Sequence, residues 1–125
     1  MILTFYDSEL QGAGQYGPAY YIPDDSVPVS LRIHAAKTPT VDDATFEIYS
    51  DGVSIMSNRY PYTVTQTVPP VQSGTNTTVI LPKDQSSEED TENFNSVGIA
   101  GGSWVTCKVV NNGGGSGFTI ELELE

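Results

Sequence analysis

The sequence predicts an all-β fold, an antiparallel β-sandwich or jelly roll of roughly eight strands. Three observations predict it. Several segments alternate apolar and polar residues with period two, which leaves one face of a strand buried. Turn signals recur every ~8–12 residues. The composition is rich in Thr, Ser, Asn, Gly and Pro, which favour strands and turns, while most of the strong helix formers are scarce.

The first strand is expected at Ile2, Leu3, Phe5 and Tyr6. Glu9 to Pro18 is irregular, and Tyr20-Tyr21-Ile22 is short enough for one brief strand before the turn-like Pro23-Asp24-Asp25-Ser26. In the next segment Val29, Leu31, Ile33 and Ala35 share one face, with Ser30, Arg32 and His34 on the other. Ala44 to Tyr49 and Val53 to Met56 form a hairpin around Ser50-Asp51-Gly52, because an Asp-Gly pair suits the tight turn between twisted strands. Phe46, Ile48, Val53 and Ile55 are expected to face the core. Pro61, Pro69 and Pro70 confine Tyr62 to Val68 to a sheet edge, and Thr77 to Leu81 is a further strand stopped by Pro82.

Residues 86–94 break the alternation. Ser86 and Glu89 have capping-box spacing and acids fill the first turn, so a short helical insertion pinned by Phe94 is expected. The chain closes with the clearest hairpin pattern in it. Val105, Cys107 and Val109 fall on one face of the first arm, and Phe118, Ile120, Leu122 and Leu124 on one face of the second. A loop of Asn and Gly, 111–117, joins them. These residues are expected to share one core with Leu31, Ile33, Phe46, Ile48 and Ile55.

The 125 residues suit one domain, 1–125, with residues 1–22 as an interaction arm. Sixteen acidic against five basic residues give a net charge of −11, which argues against nucleic-acid and anionic-membrane partners and favours solubility or a basic partner surface. Cys107 is the only cysteine, so neither an internal disulfide nor a multi-thiolate zinc site is available. The start, Met-Ile-Leu-Thr-Phe-Tyr-Asp, lacks the basic region of a signal peptide, and no apolar run approaches membrane-spanning length, so folding in a cytoplasm is expected.

Candidate chemistry is sparse. His34 lies mid-strand with no activating neighbour, and Cys107 reads as a small buried hydrophobe. Asp24-Asp25, Asp42-Asp43 and Glu88-Glu89-Asp90 carry the oxygen ligands calcium uses, without its loop spacing. Glu121, Glu123 and Glu125 are one face of the last strand, which suits a solvated surface better than a catalytic carboxylate pair. The glycines at 12, 14 and 113–117 lack the Lys and the following helix of a phosphate loop. Asn76-Thr77-Thr78 matches a glycosylation acceptor, which a chain without a signal peptide does not present to the machinery. The expectation is no enzyme, no cofactor and no metal.

The tyrosines suit contacts or sugar stacking, since the ring gives area at low entropy cost and keeps a polar handle, or else they cover the edges of the sandwich. Leu10, Tyr16, Tyr20, Tyr21, Ile22, Tyr60 and Tyr62 lie in or beside irregular Pro/Gly-rich segments and are the expected subunit-contact residues.

The stretch Ile99-Ala-Gly-Gly-Ser-Trp-Val-Thr-Cys-Lys-Val-Val-Asn-Asn-Gly-Gly-Gly-Ser-Gly-Phe-Thr-Ile-Glu-Leu-Glu-Leu, with the acidic run and Phe94 before it, resembles the closing segment of small tailed-phage virion proteins, nearest to capsid decoration or cement proteins. The resemblance covers residues 87–125, with 31–56 more loosely similar. It implies a β-sandwich that binds the outside of an assembled capsid, contacts the major capsid protein or other virion subunits, and forms a homo-oligomer, often a trimer. It places the protein in the virion after assembly in the host cytoplasm. A carbohydrate-binding module or a lectin-like tail-fibre domain with the same sandwich is the alternative.

Overall fold

A computed structural model of the chain describes residues 1–7, 14–56, 79–91, 94 and 98–125. Ten strands are seen among them: β1 (Ile2–Tyr6), β2 (Gly14–Gln15), β3 (Tyr20–Ile22), β4 (Pro28–Lys37), β5 (Ala44–Ser50), β6 (Val53–Ser54), β7 (Val79–Leu81), β8 (Ser87–Asp90), β9 (Ser103–Asn111) and β10 (Ser116–Leu124). They form two antiparallel sheets packed face to face. One has the order β1-β10-β4-β8. The other has the order β2-β9-β5-β6, with β3 also on β9 and β7 also on β5.

The period-two reading locates the core. All twelve residues expected to line it are buried, from Leu31 and Ile33 on β4 through Phe46 and Ile48 on β5, with Ile55 beyond the turn, to the inward rows of β9 and β10. Its centre is aromatic. Phe46 of one sheet meets Phe118 of the other edge to face, with ring centroids 5.0 Å apart, and Tyr16 leans on both at 6.4 and 6.5 Å. Edge-to-face pairs of this kind add about 0.5–1.5 kcal/mol to the burial of the rings.

The Asp-Gly hairpin forms as expected. Tyr49 pairs with Ser54 and Ser50 with Val53, and Asp51 and Gly52 both take positive φ, 48° and 82°. Val53, however, is exposed and not in the core. The two-residue turn sets the register and puts Val53 opposite Ser50 on the rim, and the inward phase resumes only at Ile55, whose N–H donates to the Ile48 carbonyl at 3.1 Å.

The closing segment is not a hairpin. β9 pairs with β5, β2 and β3, whereas β10 pairs with β1 and β4, so residues 112–115 carry the chain from one sheet to the other. Inward rows of the same phase arise either in a hairpin or in two strands facing each other across a sandwich, and the alternation does not separate the two. The arch is decided by its contacts. Its Asn side chains accept from Gly113 and Gly114 N–H at 2.8 and 2.9 Å, and the Gly113 carbonyl accepts from Val41 and Asp42 N–H at 2.9 and 3.3 Å. The β4–β5 connection crosses between the sheets beside it, so the two arches are stitched together.

Within the helical insertion expected at 86–94, Ser87–Asp90 form strand β8 instead. Asp90, Glu89, Glu88 and Ser87 pair with Leu31, Arg32, Ile33 and His34. One or two helical turns are marginal alone, and the open edge of the long β4 offers a full ladder to the same residues. Phe94 bridges to Met56 and packs against the core.

The described parts of the N-terminal segment are built into both sheets. β1 is one edge of the β10 sheet, with Leu3 and Phe5 buried, and β2 and β3 line up along β9. The Tyr20 hydroxyl donates to the Thr4 carbonyl at 2.6 Å, and its ring stands edge-on to Phe5 at 5.5 Å.

Candidate functional site

The outward rows of the two sheets carry the side chains free to meet a partner. On the β10 sheet the ladder sets them in rows across the strands: Ile2 beside Glu123 and Ser30; Thr4 beside Glu121, Arg32 and Glu89; Tyr6 beside Thr119, His34 and Ser87. Arg32 is the hub. Its guanidinium lies 3.8 Å from Glu89, 3.6 Å from Glu121 and 3.5 Å from Glu123, and Nη1 donates to Ser30 Oγ at 3.1 Å. Ser30 Oγ in turn donates to Glu123 at 3.2 Å. Three carboxylates share one cation at distances longer than a good charged hydrogen bond, so the face stays acidic. A shallow, open hollow of about 470 Å³ lies among Arg32, His34, Ser87, Glu89, Thr119 and Glu121. At the β1 edge, Ile2 and Tyr6 are each about half exposed.

The β9 sheet has a different outer face. Tyr21 on β3 and Trp104 on β9 are register partners, both about half exposed, with ring centroids 5.4 Å apart and planes at 60°. Trp104 is held on its other side by Asp51, whose carboxylate accepts the Trp104 N–H at 2.9 Å and whose own N–H donates to the Trp104 carbonyl at 2.9 Å. Beyond them run Thr106 opposite Tyr49 and Lys108 opposite Glu47.

The expected contact residues divide. Tyr21 is at the surface. Tyr20 is half buried and tied to Thr4. Tyr16 and Ile22 are core residues, a correction that follows from their inward phase once β2 and β3 lie on β9. Leu10, Tyr60 and Tyr62, the edge strand at 62–68 and the acceptor at 76–78 lie outside the described residues. Trp104 was legible as outward from its phase, but its partnership with Tyr21 depends on β3 lying against β9.

Four titratable groups that serve the fold are Cys107, Tyr16, Asp25 and Asp43. Burial pushes the Cys107 thiol up to about 12, which keeps it protonated and unreactive. Burial also raises Tyr16, against the opposing effect of its hydrogen bonds to backbone carbonyls. Asp25 accepts the Gly101 N–H and Asp43 the Lys83 N–H, each at 2.8 Å, so each of these acidic turns holds a loop in place. Among the described residues no three His, Cys, Asp or Glu side chains are grouped to hold a metal ion, and no helix is long and apolar enough to cross a membrane. No family model, curated protein or solved structure matches the chain.

Proposed function

We propose that the chain is a structural subunit of a tailed-phage virion, a decoration protein that binds the outside of the assembled capsid shell. The observation that carries this reading is the outer face of the β10 sheet. It combines a half-exposed apolar edge, Ile2 and Tyr6, with the glutamates around Arg32. Apolar anchors beside net negative charge suit a flat contact with a partner surface that is apolar and basic. The resemblance of residues 87–125 to capsid decoration proteins supports the same reading, and the −11 charge favours a shell more basic than the subunit itself. Trimers of the subunit, seated on the major capsid protein, complete the proposal.

The test is co-sedimentation of the purified chain with empty shells assembled from the major capsid protein of the same phage. Wild type is expected to pellet with shells and to raise their melting temperature. Ile2→Glu and Tyr6→Glu, both at exposed positions, are expected to remain folded and stay in the supernatant. Failure of the wild-type chain to pellet, or pelleting of both variants at wild-type level, overturns the reading.

A further inference from the structure

We infer that Tyr21 and Trp104 form a binding site for a neutral saccharide on the outer face of the β9 sheet. This goes beyond the capsid-binding reading, which uses the other sheet, and does not depend on it. Both rings stand on regular strands as register partners, and Asp51 fixes the Trp104 backbone from the opposite side. The rings are therefore preorganised, and a ligand that covers them need not order a loop. An aromatic ring offers an apolar face with negative π density, which suits the C–H face of a sugar ring, while the tyrosine hydroxyl and the indole N–H keep polar partners for its hydroxyls. Thr106 and Tyr49, next along the same face, extend the polar rim.

Charge selects the class of occupant. Around the rings charge is sparse: Lys108 faces Glu47 across the ladder, and the one further carboxylate, Asp51, is held by a backbone N–H. A cationic ligand is drawn to the unbalanced glutamates of the other sheet, and an anionic one is repelled by a chain of net charge −11. What fits is neutral, amphipathic and rich in hydroxyls. The rings meet at 60° and do not make one flat track, so a single sugar ring touching both suits them better than a long flat polymer.

Trp104 is the only tryptophan, so its emission reports on this site alone. The experiment screens the full chain on an array of neutral and acidic oligosaccharides, then titrates the strongest neutral hit while following Trp104 emission. The expected result is array binding to neutral glycans and a saturable emission change. Trp104→Ala and Tyr21→Ala are each expected to weaken array binding at least ~10-fold, a change of about 1.4 kcal/mol. Tyr6→Ala, on the other sheet, is expected to leave it unaltered. Both ring positions are exposed, and unchanged circular dichroism and melting temperature establish that the variants fold. Trp104→Phe retains a stacking face and is expected to keep part of the binding. The inference is overturned by an empty array, by binding only to acidic glycans, or by binding that survives both alanine variants. It is equally overturned if Trp104 emission shifts with protein concentration or with phosphatidylcholine vesicles, since a second copy or a membrane then covers the face.

Discussion

The Tyr16 hydroxyl donates to the Phe118 carbonyl at 2.6 Å, a buried bond that spans 102 positions of the chain. It joins the segment between β2 and β3 to the strand at the centre of the opposite sheet, and the two rings also touch. Tyr16→Phe removes the bond and keeps the ring, so a loss of about 1 kcal/mol is expected, with the stranded carbonyl as its main cause. Tyr16→Ala also empties a site against the Phe46 and Phe118 rings and is expected to cost about 3–5 kcal/mol. Urea denaturation of the two variants measures the difference; equal losses would show that the hydroxyl contributes nothing.

Removal of residues 1–22 is expected to abolish folding. The deletion takes away β1, β2 and β3 and with them the buried Leu3, Phe5, Tyr16 and Ile22. Phe5→Ala alone is expected to cost about 3–5 kcal/mol. A truncated chain with native circular dichroism and a cooperative melt would contradict this.

Gly113 and Gly52 separate backbone strain from collision. Both have positive φ, 62° and 82°. A Cβ at Gly52 meets nothing within 4 Å, whereas one at Gly113 would stand 2.2 Å from the Asp42 carbonyl oxygen. Gly52→Ala therefore carries the conformational cost only, about 1 kcal/mol. Gly113→Ala must also part the two arches and is expected to cost several times more. Comparable melting temperatures for the two would remove the stitched arches from the account.

The Arg32 cluster is expected to matter little to stability. Its three ion pairs are 3.5–3.8 Å long and their side chains are 37–57% exposed, so Glu89→Gln or Glu121→Gln should change stability by less than about 1 kcal/mol. Arg32→Met leaves the glutamates facing one another, and its deficit is expected at low salt and to fade at about 1 M, where screening acts within ~3 Å. A large loss that persists in high salt would mean that Arg32 supports the sheet through packing.

Cys107 sets an alkaline limit. Its thiol titrates at about 12 in the fold, raised by burial from an ordinary 9.0. The folded state therefore holds its proton where the unfolded state has lost it, so stability is complete below pH 9 and falls as pH rises from about 9 to about 12. Tyr16 is shifted upward as well and acts in the same direction. Melting temperatures across this range check the slope. Ellman's reagent is expected to react with Cys107 only after denaturant is added; rapid native reaction would rule out the burial argument.

The residue pattern by itself determined which side chains go inside. Val105, Cys107 and Val109, like Phe118, Ile120, Leu122 and Leu124, are buried because alternation is a property of the strand, whichever strand lies beside it. The same logic sent Trp104 outward, and the Asp-Gly turn carried its own register. Pairing was decided only by tertiary structure. That β9 and β10 belong to different sheets depends on an arch held by Val41 and Asp42, 72 and 71 positions before Gly113 in the sequence. The capping-box spacing of Ser86 and Glu89 yielded to the open edge of β4, because a ladder with a long strand outweighs a turn of isolated helix. Tyr21 came to stand beside Trp104 only because β3 lies along β9. Local geometry is written in neighbouring residues, whereas the choice between partners is a comparison of distant contacts, and no short stretch of chain contains both sides of it.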